Sequence, residues 1–299
     1  MRRSILALWA APALVSVGCG CNQEYTFPEP LAVQFAETPP DFGSYLSFGK
    51  APDGRRITMT YYDRITTGVG FATGTIADDG SITWLHEHVD GYPEADGLDR
   101  GDRGRYGSHV VGDDGTVWVA YQDSANGTLK AAQRLGPNQW EAGVVDPGVG
   151  LTQSGAGYWT SIGLLDGEPI IAHYDKAGGV LRVSRHGENG WSSETAWQAE
   201  DVGEYADLYV HNGVVYIAFY NAANGNLEMI EGTPGAWTHT DVDTPGDVGA
   251  WPNVWADDDE VVIAYHHVGD QDLRLIRRTG GSWGSPTVVD SGEFRGADT

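Results

Sequence analysis

The sequence predicts an all-β fold, a β-propeller of four-stranded blades. Five blades are expected, and the alternative is a sixth closed by both termini. Three recurrences predict it. A Gly-x-aromatic-x-polar pattern occurs five times: Gly43-x-Tyr45-x-Ser47, Gly104-x-Tyr106-x-Ser108, Gly157-x-Trp159-x-Ser161, Gly203-x-Tyr205-x-Asp207 and Gly249-x-Trp251-x-Asn253. Each is followed by an apolar run ending in a polar residue: Met59 to Asp63, Val119 to Asp123, Ile171 to Asp175, Ile217 to Asn221 and Ile263 to His267. After a Gly-bearing turn comes a tryptophan: Trp84, Trp140, Trp191, Trp237 and Trp283. The last three repeats keep a 46-residue period, from 175 to 221 to 267. Repeats of that length built from short apolar strands mark a propeller.

The unit from Gly203 to Asp243 shows the plan. Tyr205 to Val210 reads as a first strand, and Asn212-Gly213 as a hairpin turn of the favoured type. Val215 to Tyr220 is a second strand, closed by the Asn224-Gly225 turn. A third strand starts at Leu227, Thr233-Pro234-Gly235 turns again, and Trp237 to Val242 is the fourth. Four strands and three turns leave no room for a helix. The second strand is apolar on both faces, as a strand sandwiched between neighbouring blades must be. One of its columns stays small (Thr60, Ala120, Ala172, Ala218, Ala264), which lets blades approach. The tryptophans open the outermost strand, where they can cover the blade core. Leu31 to Glu37, before the first unit, resembles an outer strand, and Gly296 to Thr299, after the last, resembles the start of another unit.

The N-terminus reads as an export signal. Arg2 and Arg3 precede an apolar stretch, Ile5 to Val15, that is too short to span a bilayer. Ser16-Val17-Gly18-Cys19 resembles the lipobox of bacterial lipoproteins, with Ser where Leu is usual. The expectation is a leader over 1–18, lipidation at Cys19, a tether over 19–30 and the propeller over 31–299. A lipid anchor would hold the protein to the cell envelope; the alternative is a cleaved, freely secreted protein. Both cysteines, Cys19 and Cys21, lie in this segment, so no disulfide can staple the folded part.

A formal net charge of −24, with lysine at positions 50, 130 and 176 alone, repels phosphate backbones and anionic lipid. Nucleic acid is excluded as a partner. No cofactor is expected, with calcium as the one alternative. Asp96, Asp99 and Asp102 fall three apart in the first long insertion, and oxygen donors in such a loop suit that ion. His86 and His88 share a strand face, as a two-histidine site needs, without an evident third ligand.

Function is expected on the face that carries the long insertions, Gly91 to Gly104 and Pro147 to Ala156. An arc of Tyr45, Tyr106, Trp159, Tyr205 and Trp251 falls there, with Asp207 and Asn253 beside it. Aromatic faces flanked by Asp and Asn suit neutral polyol ligands; the competing reading is that the rings wedge between blades. Asp63, Asp123, Asp175, Asn221 and His267 end the second strands, where such residues cap a turn.

The repeats resemble those of bacterial sialidase-type propellers with Asp-box hairpins. The motif Ser-x-Asp-x-Gly-x-Thr-Trp is matched by Asp78-Asp79-Gly80-Ser81-Ile82-Thr83-Trp84, one residue longer. The resemblance implies a propeller and, for a sialidase, three convergent arginines, which this chain does not place on its innermost strands. Fucose-binding propellers share the strand rhythm, but their matched Arg and Glu are replaced here by a mixture: Lys130, Arg182, Glu228 and Arg274. Five-bladed glycosidases carry carboxylates on innermost strands. The matching positions here, Ser47, Ser108, Ser161, Asp207 and Asn253, hold one. The leading expectation is a non-catalytic, surface-anchored binding or scaffold protein whose partner is a glycan or an envelope protein. The alternative is a divergent, sialidase-like glycoside hydrolase or a lyase using Asp207 with Glu204, Asp247 or an Asp of the second strands.

Overall fold

Five antiparallel sheets, one per sequence repeat, make up the described structure, a computed structural model in which residues 42–91, 101–149 and 155–291 are described. The described residues fall within one compact unit, Pro40–Thr299. Blade 1 is β1 (Phe42–Lys50), β2 (Arg56–Asp63), β3 (Gly68–Ile76) and β4 (Ile82–Asp90). Blade 2 is β5 (Arg103–Val111), β6 (Val117–Asp123), β7 (Thr128–Gly136) and β8 (Gln139–Asp146). Blade 3 is β9 (Tyr158–Leu165), β10 (Glu168–Asp175), β11 (Val180–Gly187) and β12 (Gly190–Trp197). Blade 4 is β13 (Val202–His211), β14 (Val214–Asn221), β15 (Asn226–Thr233) and β16 (Ala236–Asp243). Blade 5 is β17 (Val248–Ala256), β18 (Glu260–His267) and β19 (Asp272–Thr279), with its fourth strand split by Pro286 into β20 (Ser282–Trp283) and β21 (Thr287–Asp290).

The expected propeller of four-stranded blades is present, with strands in sequence order within each sheet. The leader, Cys19, the tether, the strand expected at Leu31 to Glu37, Asp96, Asp99 and the segment Gly296 to Thr299 lie outside the described residues.

The core lies between blades. Clusters join Val119, Tyr121 and Ala132 of blade 2 to Val69 and Phe71 of blade 1, and Val183 and Leu181 of blade 3 to Ile217 and Phe219 of blade 4. Fourth-strand tryptophans pack across blade boundaries too, Trp140 on Phe71 of blade 1 at 5.3 Å and Trp191 on Trp118 of blade 2 at 5.8 Å. The indole N–H groups of Trp140 and Trp237 find acceptors on the preceding blade, at Glu87 (3.1 Å) and Glu194 (2.6 Å). A Tyr or Trp that buries its ring needs such a partner for its polar tip.

The second-strand ends cap their turns by one device. Asp63 Oδ1 accepts from Ile65 N at 2.9 Å, and Asp175 Oδ1 from Ala177 N at 3.0 Å. Asn221 Oδ1 accepts from Ala223 N at 3.1 Å, and His267 Nδ1 from Asp270 N at 2.8 Å. These residues are fixed by the turn, which removes them from the list of free ligand groups.

First strands pack side by side in order, β1 on β5, β5 on β9, β9 on β13 and β13 on β17; β17 and β1 do not pack in the same way. Exposure follows. Phe48 is 63% exposed, whereas Leu208 and Val254 at the equivalent positions are 6% and 3%. At the other end of the series Trp255 on β17 is exposed as well.

Candidate functional site

The site begins with a backbone irregularity. In every blade the pairing of the first and second strands slips at the Gly-x-aromatic motif, between Ser44 and Ser47, Arg105 and Ser108, Glu204 and Asp207, and Ala250 and Asn253, with the same slip opposite Trp159. Each bulge holds its aromatic residue in the left-handed region: Tyr45 at φ 52°, Tyr106 at 53°, Trp159 at 47°, Tyr205 at 56° and Trp251 at 48°. A bulky residue there costs about 1–2 kcal/mol, and five in register is a property of the design. The glycine two residues earlier is needed for two reasons. Gly249 has φ 97°, and a Cβ on it would sit 2.5 Å from Leu227 Cα of the preceding blade.

The bulges aim the five rings at one another. Tyr45 and Tyr106 are 4.7 Å apart between centroids, Tyr106 and Trp159 5.5 Å, Trp159 and Tyr205 4.6 Å, and Tyr205 and Trp251 4.6 Å. Neighbouring planes are tilted by 39° to 59°, so each ring leans on the next rather than stacking flat. Second-strand rings support them from behind, Tyr62 under Tyr45 and Tyr174 under Trp159. Both readings of the arc therefore have a basis: the rings pack, and they also remain partly open, Tyr45 by 37%.

The arc bounds a cavity of about 460 Å³ to which all five first strands contribute. Every residue expected at a ligand site lines it: Tyr45, Tyr106, Trp159, Tyr205, Asp207, Trp251 and Asn253. Below the rings runs the polar column, and it stitches blade to blade. Ser47 Oγ accepts from His109 N at 3.3 Å, Ser161 Oγ from Leu208 N at 2.9 Å and Asp207 Oδ2 from Val254 N at 2.8 Å. Ser161 Oγ also donates to Asp207 Oδ1 at 3.0 Å. Asn253, on the last blade, is exposed to the cavity. Sequence reasoning missed His109, which lines the cavity between Ser47 and Thr58, its Nε2 2.8 Å from Thr58 Oγ1. Burial pushes it down to about 4, so it is neutral at physiological pH.

Asp207 is the one carboxylate among the cavity-lining residues. Burial pushes it up to about 6, against the hydrogen bonds from Val254 N and Ser161. The other two expected catalytic carboxylates stand outside the cavity lining. Asp247 Oδ1 accepts from the Tyr220 hydroxyl at 2.7 Å, and Glu204 is raised by burial and by Asp201 beside it. A glycosidase needs two carboxyl groups across one bond, and this cavity presents one.

Of the three aspartates expected to hold calcium, Asp102 alone is described. Its Oδ1 takes the Tyr62 hydroxyl at 2.6 Å and its Oδ2 takes Arg105 at 2.5 Å. Both oxygens are thus engaged by protein donors. Of the paired histidines, His86 is 3.3 Å from the Tyr61 hydroxyl.

No family model and no curated protein matches the chain. Solved structures do. A microbial sialidase, Hz136 from a Hadza source, aligns with TM-score 0.54 and 15% identity over 84% of this chain and 59% of that one. The chain thus spans less than two thirds of the length of that structure. A fungal fucose-recognising lectin from Aleuria aurantia, a six-bladed β-propeller, aligns with TM-score 0.51 and 16% identity over 83% and 79%. TolB from Acinetobacter baumannii aligns with TM-score 0.50 and 14% identity over 85% and 56%. At these identities the likeness establishes the β-propeller fold.

Proposed function

We propose that this protein binds a neutral glycan in the aromatic-lined cavity and does not cleave it. One observation carries the reading: five aromatic rings, one from each blade, converge on a cavity that also presents Ser, Asp and Asn groups but a single carboxylate. Rings offer apolar faces to the C–H side of a sugar, and the polar column offers hydrogen bonds to its hydroxyls. A cavity of about 460 Å³ has the volume of a ligand pocket rather than of a packing defect. The lining residues include no Lys or Arg, which disfavours an acidic sugar. The sialidase and fucose-lectin neighbours are proteins of carbohydrate chemistry on the same fold, and they support the ligand class by analogy.

The protein is exported and held to the envelope through a lipid on Cys19, with the propeller displayed beyond the 19–30 tether. Radiolabelled fatty acid should enter the wild-type chain and not Cys19→Ser; equal labelling of both removes the anchor.

A glycan-array screen, run with calcium and with chelator, tests the ligand. The expected result is selective, calcium-independent retention of neutral glycans. Tyr45→Ala and Trp251→Ala, at the two ends of the arc, should each weaken binding at least tenfold, about 1.4 kcal/mol. Their melting temperatures should stay near wild type, because each end ring leans on one arc neighbour. Absence of any retained glycan, or variants that bind as well as wild type, overturns the proposal in favour of an envelope-protein partner.

A further inference from the structure

The boundary between blades 3 and 4 departs from its neighbours in a coordinated way. At the other boundaries an aspartate ends the fourth strand of the earlier blade: Asp90, Asp146 and Asp243. It faces a second-strand polar group of the next blade, Tyr121 to Asp90 at 2.7 Å, His173 to Asp146 at 3.3 Å and Tyr265 to Asp243. The third-strand residue paired with that group is a cation, Lys130, Arg182 or Arg274. At the blade 3–4 boundary all three positions change: Trp197 replaces the aspartate, Phe219 the polar group and Glu228 the cation. A carboxylate now stands where blades 2, 3 and 5 place positive charge.

Two further donors converge on it. His239 Nε2 lies 2.9 Å from Glu228 Oε2 and 3.7 Å from Asp241 Oδ1. All three donor atoms lie within 4.8 Å of one another, and among the described residues this is the one such group. His239 and Asp241 are two apart on β16 and so share a face; Glu228 pairs with Asp241 across β15. Ligands about 2.0–2.1 Å from a tetrahedral ion are separated by about 3.3–3.4 Å, and the two separations from His239 straddle that value.

The donors are also held in place. Asn221 Nδ2 donates to the second Glu228 oxygen at 2.6 Å, and the His239 ring stacks on Trp197 at 4.0 Å with planes 6° apart. A hydrogen bond to the ligating carboxylate is a usual support of a metal site, and the stack fixes the plane of the imidazole. Asp241 is exposed, which gives an ion a way in, while Glu228 is buried.

We infer that Glu228, His239 and Asp241 form a three-ligand site for a divalent transition-metal ion of the zinc type, with the fourth position open to water. The site is separate from the aromatic cavity, and its failure would leave the glycan reading intact.

Zinc chloride titrated by calorimetry into chelator-treated protein tests it, with cobalt(II) visible absorption as a readout of four-coordinate geometry. Wild type should bind one equivalent with micromolar or tighter affinity and give the intense tetrahedral cobalt band. His239→Gln should lose both. Asp241→Asn, an exposed change that should not disturb folding, should weaken zinc binding at least tenfold. Indistinguishable titrations of wild type and Asp241→Asn would mean diffuse binding to the acidic surface and would overturn the site. So would the absence of a cobalt band in wild type.

Discussion

The boundary between blades 2 and 3 and the boundary between blades 3 and 4 solve one packing problem with opposite chemistry. In the first, Asp146, Arg182 and His173 are buried together: Arg182 Nε donates to Asp146 Oδ2 at 2.6 Å, and His173 Nε2 lies 3.3 Å away. Gly157 N donates to His173 Nδ1, which turns Nε2 toward Asp146. Burial alone would raise Asp146, but the imidazole of His173 beside it and the hydrogen bond from Arg182 outweigh burial and hold the carboxyl well below the usual range. In the second, a Trp197–His239 stack and Phe219 take the same places, and the charge that remains sits on the later blade. The fold therefore does not require an ion pair between blades. It requires filled volume, by whichever means.

The largest test of this contrast removes one partner of the buried pair. Asp146→Ala leaves Arg182 with Thr195 Oγ1 as its remaining described acceptor, at 3.1 Å. An uncompensated buried charge costs about 3–5 kcal/mol, so chemical denaturation should show a loss of that size. A loss below about 1 kcal/mol would mean that the pair is dispensable and that the two boundaries are alike.

Acid should separate the two carboxylates of opposite behaviour. Asp146 is depressed in the folded state, so its contribution is complete above about pH 4 and is lost as pH falls further. Asp207 is raised to about 6, so the folded state binds its proton more tightly than the unfolded chain. Its ionisation lowers stability as pH rises from about 4 to about 6. Asp207→Asn should therefore gain on wild type across that window by about 1–2 kcal/mol, a value reduced for partial solvent access. Denaturation midpoints of both proteins at pH 4 and pH 7 measure it; parallel profiles would place the titration elsewhere.

A substitution at the second boundary sharpens the comparison. Phe219→Tyr restores the hydroxyl that blades 2 and 5 carry at this position, but Trp197 offers no carboxylate to receive it. The change should cost about 1–3 kcal/mol for an unsatisfied buried hydroxyl. Adding Trp197→Asp should recover part of that, which a double-mutant cycle reads directly. Strict additivity would show that the boundary positions do not act as a set.

The blade plan was legible because its physics repeats. A left-handed glycine, an aromatic at a bulge, a capped turn and a tryptophan over the boundary recur at a fixed spacing, and each occurrence confirms the others. The seven expected ligand-site residues share one cavity for the same reason, since a bulge in the same place on every first strand aims the same position inward. The forward stitching by Ser47, Ser161 and Asp207 was not legible. It depends on how far one blade stands from the next, which no single repeat encodes. Nor were the zinc-type ligands: Glu228 stood out only as a break in the Lys130, Arg182, Arg274 column, and its partners lie on the following strand beyond a register shift at Leu227 and Glu228.

The bulge at each first strand has a consequence for how such a protein can change over evolutionary time. Gly and the aromatic residue fix the backbone, and the residue two places on is then a position whose chemistry can be exchanged while the geometry stays. Ser, Ser, Ser, Asp and Asn already occupy it in the five repeats. The chemistry that faces the cavity is in effect spelled in five characters, each rewritable by a single codon, and a duplicated blade arrives with its own letter in place.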